Sequence, residues 1–108
     1  MNTDQQTEIA LAALGDATRR RIVERLASGP CAVGEVARDL PVGRPAVSMH
    51  LRVLSDAGLV VGKREGNRRL YQLNPETLIS LRDYFDSFWS EVLFAYSKAA
   101  EQERKNQS

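Results

Sequence analysis

The sequence has little of the chemistry on which metal and redox sites depend. It contains one cysteine, Cys31, and one histidine, His50, in 108 residues. One thiol cannot form an internal disulfide, and one thiol with one imidazole cannot complete the four-ligand shell of a structural zinc site. We therefore predict no metal site and no cofactor, and the cysteine count fits a reducing, cytoplasmic setting. Cys31 is expected to be a small buried hydrophobic residue, with a redox thiol as the alternative.

Long apolar runs are missing too. No stretch approaches the about 20 residues that a membrane-spanning helix requires, and the start, MNTDQQTEIA, lacks the features of a signal peptide. The sequence also shows no carboxylate pair, no thiol–histidine pair and no glycine-rich phosphate loop. We therefore expect a protein that is not an enzyme and has no membrane partner.

What the chain does contain is an uneven distribution of charge. Residues 16–74 hold eleven Lys or Arg against six Asp or Glu, a balance of +5, whereas the flanks hold four against eight, a balance of −4. A basic middle segment is what binding to a polyanion requires, although random scatter is the alternative explanation. With 43% hydrophobic and 27% charged residues, the chain is expected to form one globular domain, 1–108.

Apolar spacing and capping residues predict a mainly helical protein with one small β-hairpin. The helical periods cover 1–14, 17–28, 33–40, 44–57 and 76–104. Two strand-like runs, LVVGKR and RRLYQL, flank a Gly-containing turn within 59–73. Two short helices joined by a tight turn make a helix-turn-helix, here about 33–57, and the hairpin that follows would be its wing.

The helix predicted at 44–57 has two unlike faces. Val47, Leu51 and Leu54 form a packing stripe, whereas the opposite side has nothing to pack on. An exposed helix of this kind fits the DNA major groove, with its N-terminal residues at the base edges. The predicted DNA-contacting residues of this helix are Arg44, Pro45, Ser48, Met49 and Arg52.

These side chains suit different parts of a DNA duplex. Arg44 can meet O6 and N7 of a guanine, and Met49 can touch a thymine methyl group. Ser48 can reach a base or a phosphate, and Arg52 is better placed for a phosphate. His50 falls beside the packing stripe. Base contact there competes with a second interpretation, a histidine at the core margin that hydrogen-bonds to a neighbour.

The predicted wing and a second run of arginines carry further positive charge. The expected wing contacts, to phosphates or the minor groove, are Lys63, Arg64, Asn67, Arg68 and Arg69. The alternative is that these charges protect the hairpin edge from pairing with other strands. The run Arg19–Arg21 opens a helix and opposes its macrodipole, so DNA phosphate or salt bridges to Asp16 and Glu24 are expected to balance it.

Taken together, these segments resemble the ArsR family of bacterial winged-helix repressors. The resemblance rests on LGDATRRRIVERL, VGEVARDL, RPAVSMHLRVLSDAGLV and KREGNRRLYQL, within about residues 10–75. It implies a homodimer that binds an imperfect inverted repeat and blocks transcription, with the helices at 1–14 and 76–104 forming the dimer interface. It also places the family's base-reading positions at Arg44, Pro45, Ser48 and Met49, and its wing at Lys63 to Arg69.

The chain departs from the family pattern at positions that read the operator sequence and at positions that bind metal ions in other members. Gly43 stands where a serine helix cap is common, Arg44 where glutamine is frequent and Met49 where arginine is common. Many members sense metals through a Cys-x-Cys pair, and Ala32 and Gly34 occupy those positions here. Others use Asp and His on the last helix, which has no histidine in this chain. The resemblance is therefore to a member that does not sense metals.

The predicted last helix carries one continuous apolar stripe that is rich in aromatic residues. A chain this small has little core to cover the stripe, so pairing with a second copy is expected. The predicted dimer-interface residues are Leu81, Phe85, Phe88, Trp89, Val92 and Tyr96. A ligand pocket between aromatic helices is the alternative.

These patterns predict a homodimeric, metal-free repressor that binds double-stranded DNA. Two alternatives stay open. In one, the same repressor is released by a small apolar effector at the aromatic dimer region. In the other, the chain is a winged-helix module that contacts proteins. The alignment of Arg44 and Ser48 with a basic wing argues against the second, because a protein-only module has no use for it.

Overall fold

The computed structural model describes residues 3–107 of the chain. Within that range the protein has five helices and a small antiparallel sheet, which confirms the predicted fold class. The elements in chain order are α1 (Thr3–Ala13), α2 (Ala17–Leu26), β1 (Cys31–Ala32), α3 (Val33–Arg38), α4 (Arg44–Asp56), β2 (Val60–Glu65), β3 (Arg68–Leu73) and α5 (Pro75–Asn106). At 1.5 Å per residue, the 32 residues of α5 span about 48 Å, which is longer than the predicted helix.

Local side-chain chemistry explains where several helices begin. The Asp16 carboxylate accepts a hydrogen bond from the backbone N–H of Arg19 at 3.0 Å and so caps α2. Asn74 does the same for α5 through the N–H of Glu76 at 3.2 Å. At the other end of α4, Gly58 has a φ of +79°, a conformation that ends helices and that glycine adopts without strain.

The sheet has one more strand than the sequence indicated. Its order is β1-β3-β2, with Cys31 opposite Tyr71 and Ala32 opposite Leu70. β1 is two residues long, so it is too short to show the alternation from which strands are predicted. The predicted hairpin is present. It turns at Gly66, whose φ of +62° suits a two-residue hairpin turn.

The core lies between the helix-turn-helix, α2 and the base of the wing. The largest fully buried side chains are Ile22, Val36, Val47, Leu51, Leu54 and Leu59. Cys31 is also buried, which agrees with its interpretation as a small hydrophobic residue. This core fixes the positions of α4 and the wing relative to each other.

The far part of α5 leaves this body. The radius of gyration is 18.8 Å, whereas a compact chain of this length is expected to have about 13 Å. Leu81 is buried, but every residue from 82 to 99 is exposed. Among the described residues, no helix is both long and apolar enough to cross a membrane.

Candidate nucleic-acid interface

The two faces of α4 are arranged as the sequence predicts. Val47, Leu51 and Leu54 are completely buried, so they attach α4 to the core. The predicted DNA-contacting side chains lie on the other side and are all exposed: Arg44, Pro45, Ser48, Met49 and Arg52. Met49 is 67% exposed. Such exposure is unusual for a large apolar side chain and is typical of a surface that binds a partner.

A groove joins the start of α4 to the wing. It has a volume of about 590 Å³ and is floored by the start of α3. We call it the basic groove, and the side chains that give it its character are Glu35, Arg38, Arg44, Asn67, Arg68 and Arg69. Four guanidinium groups against one carboxylate make it a site for an anion.

Arg44 points into the basic groove. A Cβ atom built on Gly34 would lie 3.9 Å from Nη1 of Arg44, so the guanidinium rests over the start of α3. Arg44 is exposed, so its guanidinium is accessible from solvent.

Two wing arginines are anchored by their own chain. The Arg68 guanidinium forms an ion pair with Glu35. The Arg69 guanidinium lies over the Tyr71 ring, with Cζ 5.7 Å from the ring centroid. It also fills the space above Gly62, where a Cβ atom would approach Nε of Arg69 to 2.7 Å.

The other predicted wing residues are free of such anchors in the structure. Lys63, Arg64 and Asn67 are exposed. Register places Lys63 opposite Leu70 and Arg64 opposite Arg69, so Lys63 and Arg64 project from opposite faces of the hairpin. Positive charge is therefore available on both sides of the wing.

His50 lies at the margin of the core. Its Nδ1 atom is 3.4 Å from Nη1 of Arg19, and the contact is partly buried. Because the guanidinium can only donate, Nδ1 is the acceptor. The geometry agrees with the second interpretation of His50, a core-margin histidine that hydrogen-bonds to a neighbour.

Two arginines of the run make contacts that the sequence did not indicate. Nε of Arg19 donates to the carbonyl of Ala13 at 2.6 Å, and Nη1 of Arg20 donates to the carbonyl of Leu14 at 2.6 Å. The first carbonyl is that of the last residue of α1 and the second follows it directly, so both lie where positive charge is favourable. The backbone N–H of Arg19, and then its charge, hold the pKa of Asp16 below its ordinary value, although partial desolvation opposes them.

The predicted dimer-interface residues fall into two groups. Leu81 is covered by its own chain, because α1 packs against the start of α5. The others are exposed on α5: Phe85, Phe88, Trp89, Val92 and Tyr96. Rings of this group contact neighbours on the same helix; the centroids of Phe88 and Trp89, for example, are 5.5 Å apart.

Two residues of the basic groove were missed by the sequence interpretation. Arg38 and Glu35 lie on α3, which the sequence presents only as a packing helix. Arg38 is exposed and Glu35 is partly exposed where they line the groove. Within residues 3–107, no group of three or more His, Cys, Asp or Glu side chains is arranged to hold a metal ion.

The fold and this surface define a transcriptional regulator with a winged helix-turn-helix DNA-binding domain. The chain belongs to the ArsR family, and the family described as "Bacterial regulatory protein, arsR family" matches residues 16–61. The HTH-type transcriptional regulator Rv2034 of Mycobacterium tuberculosis is 53% identical over 103 residues, which are 95% of this chain and 96% of that protein.

Solved structures agree with this assignment. A crystal structure titled "Possible transcriptional regulator for arsenical resistance" has a TM-score of 0.66 and 46% identity, covering 78% of this chain and 83% of the other. The solution structure of a winged helix-turn-helix domain from Mycobacterium bovis, Mb0332, has a TM-score of 0.66 and 26% identity, covering 77% and 78%. Its title describes a homodimer and a possible ArsR-family regulator.

Proposed function

We propose that this protein is a homodimeric repressor that binds an inverted-repeat operator without a metal. The observation that carries the proposal is the basic groove, which brings the N-terminal end of α4 and the wing turn onto one continuous surface. A DNA duplex needs both parts at once, because the major groove receives the helix while the adjoining backbone passes the wing.

The proposed DNA contacts divide into two kinds. Arg44, Ser48 and Met49 occupy the first turns of the exposed face of α4, from which base edges are within reach. Arg52 and the wing residues Lys63, Arg64 and Arg69 would meet phosphates or the minor groove, with Asn67 at the turn. The first kind would set sequence preference, and the second would set the salt dependence of binding.

Dimerisation is proposed from the exposed side of α5. Phe85, Phe88 and Val92 recur at helical spacing, and all are exposed in the single chain. A second copy of this helix would cover them, as expected for the same patch meeting itself across a two-fold axis. Two copies related in this way present two α4 helices, which is why an inverted repeat is the expected operator.

The proposed mechanism is occlusion: a dimer on its operator blocks transcription. As a regulator of transcription it would act in the cytoplasm, with the chromosome. Release by a small apolar effector stays an alternative, since the aromatic side chains of α5 could form a pocket only together with a second chain. The protein-contact alternative is less well supported, because four arginines around one groove suit a polyanion.

The decisive experiment is to recover genomic DNA on the purified protein at moderate salt and to sequence it. Enrichment of one inverted repeat is expected, and binding isotherms on that repeat and on a scrambled duplex should differ by at least about a thousandfold. The Arg82→Ala variant should give the same two isotherms as the wild type, because Arg82 is an exposed arginine outside the proposed DNA contacts. Recovery of random DNA, or of none, would contradict operator recognition.

Metal independence has its own test. Operator affinity of the chelated protein should stay the same when Zn²⁺, Cd²⁺ or Cu⁺ is added, because Cys31 is buried without a second thiol. Binding isotherms would be compared with and without each metal. A reproducible shift of about tenfold at stoichiometric metal, abolished in Cys31→Ser, would refute it.

A further inference from the structure

Glu35 connects the helix-turn-helix to the wing. Its Oε1 atom accepts a hydrogen bond from the backbone N–H of Ala32 at 3.3 Å, just before α3. The same oxygen pairs with the guanidinium of Arg68, at the start of β3. The Glu35 side chain is 31% exposed and that of Arg68 is 60% exposed, so the pair faces solvent inside the basic groove.

The surroundings of this pair are otherwise positive. Among the described residues that line the basic groove, Glu35 is the acidic one, and Arg38, Arg44 and Arg69 surround it. A DNA phosphate that enters the groove would find the Arg68 guanidinium already paired with the Glu35 carboxylate. Glu35 engages Nη2 of Arg68, and its negative charge repels a phosphate that approaches the remaining N–H donors, so the phosphate binds the paired guanidinium more weakly than a free one.

We propose that Glu35 is an internal competitor of DNA phosphate for Arg68. In the free protein the carboxylate pairs with Arg68, and a phosphate binds this guanidinium at full strength only when Glu35 moves away. Glu35 therefore lowers the affinity of the protein for the DNA backbone, and Arg68 contributes less to the salt dependence than its charge alone suggests. This inference rests on the proposed DNA binding.

Glu35→Gln isolates the charge from the structural role. Glutamine can keep the hydrogen bond to the N–H of Ala32, since either Glu or Gln serves at this position of a helix start. Asp39→Asn is the matched control. It removes one carboxylate from the residue that follows α3, and that carboxylate pairs with Nε of Arg25 at 2.6 Å outside the groove. The two variants change the net charge equally.

The experiment measures binding of the full chain to a mixed-sequence DNA duplex over a series of KCl concentrations. Glu35→Gln should bind about three- to tenfold more tightly at moderate salt, and its plot of log affinity against log salt should be steeper by about one unit, one extra phosphate contact. Arg68→Ala alone should keep nearly the wild-type slope. In the Glu35→Gln, Arg68→Ala double variant the extra unit should vanish. Asp39→Asn should leave the slope unchanged.

Several results would overturn the inference. One is a folded Glu35→Gln variant, checked by circular dichroism, whose affinity is unchanged or weaker. Another is an equal gain in Asp39→Asn, which would indicate a general charge effect. The Arg68→Ala variant tests the inference even if Glu35→Gln does not fold. A salt slope about one unit lower than that of the wild type would overturn it, because wild-type Arg68 would then already contact a phosphate. A wild-type protein that binds no DNA at any salt would refute the proposed function as well.

Discussion

The body of the protein, residues 3–81, and the far part of α5, residues 82–106, differ in how much of their apolar surface the chain itself covers. The body buries six large aliphatic side chains completely, whereas the far helix leaves a row of aromatic side chains in solvent. A single helix has nothing on which to bury such a row, and isolated helices are only marginally stable in water. The comparison shows that one chain can bury the core of its winged helix-turn-helix but cannot cover the apolar side chains of its own last helix.

The largest expected effect comes from breaking the body. Val47→Asp places a charge at a site with no exposure, so it should cost more than about 4 kcal/mol and unfold the domain. Thermal unfolding and circular dichroism would show this. Val61→Asp, at a position that is 43% exposed on the wing, is the control and should change Tm little. A folded Val47→Asp protein that binds DNA would mean that α4 is not held by this face.

A charge in the apolar stripe of the far helix should prevent two copies from assembling. Phe88→Asp would bury an unpaired charge between two copies of α5, so sedimentation should show monomers, or unfolded chains if folding depends on the dimer.

Phe94→Asp is the matched control for Phe88→Asp. Phe94 is 64% exposed and carries the Lys98 ammonium 5.2 Å from its ring centroid. It follows Val92 by two residues, about 200° around the helix and away from the apolar stripe. A Phe88→Asp protein that stays a folded dimer would remove this face from the interface.

A third change should leave the folding of the body and the pairing of the far helix intact and should weaken only the binding of DNA. Arg44→Ala should cost about 1–3 kcal/mol on the operator and flatten the preference at one base pair in each half-site. Isotherms on operator and scrambled DNA at several salt concentrations would measure it. Equal weakening on both DNAs would instead assign Arg44 to phosphate in the basic groove.

The smallest expected effect concerns the cap of α2 and is set by pH. The folded protein lowers the pKa of Asp16 below the ordinary value of an aspartate, chiefly through the backbone N–H of Arg19. The carboxylate therefore stabilises the fold above about pH 4, and this contribution disappears as pH falls through the lowered pKa. Asp16→Asn keeps a capping side chain, so its Tm should fall slightly at neutral pH and match the wild type in acid. A Tm difference that does not depend on pH would contradict this.

The sequence was informative wherever structure follows from local patterns. The two faces of α4, the cap at Asp16 and the glycine turn of the wing follow from periodicity and backbone preference, which act within a few residues. The exposed side of α4 could be predicted because the packing side was recognisable from the spacing of Val47, Leu51 and Leu54.

Contacts between distant segments could not be predicted in this way. Arg19 and Arg20 donate to carbonyls of the preceding helix, a role that depends on the angle at which α1 meets α2. The strand β1 exists because β3 offers it a free edge, since two residues alone have no reason to be extended.

By itself, the sequence determined which faces of the elements are apolar and which segments are basic. It also determined where along the chain the helices and the hairpin turn lie. Those properties depend on residue types at fixed spacing. Only the tertiary structure decided that Glu35 meets Arg68, that Arg38 and Arg44 share one groove, and that Leu81 is covered while Phe85 is not. Each of these depends on how packed elements cross, because burial of the common core sets the distances between side chains that are far apart in the chain.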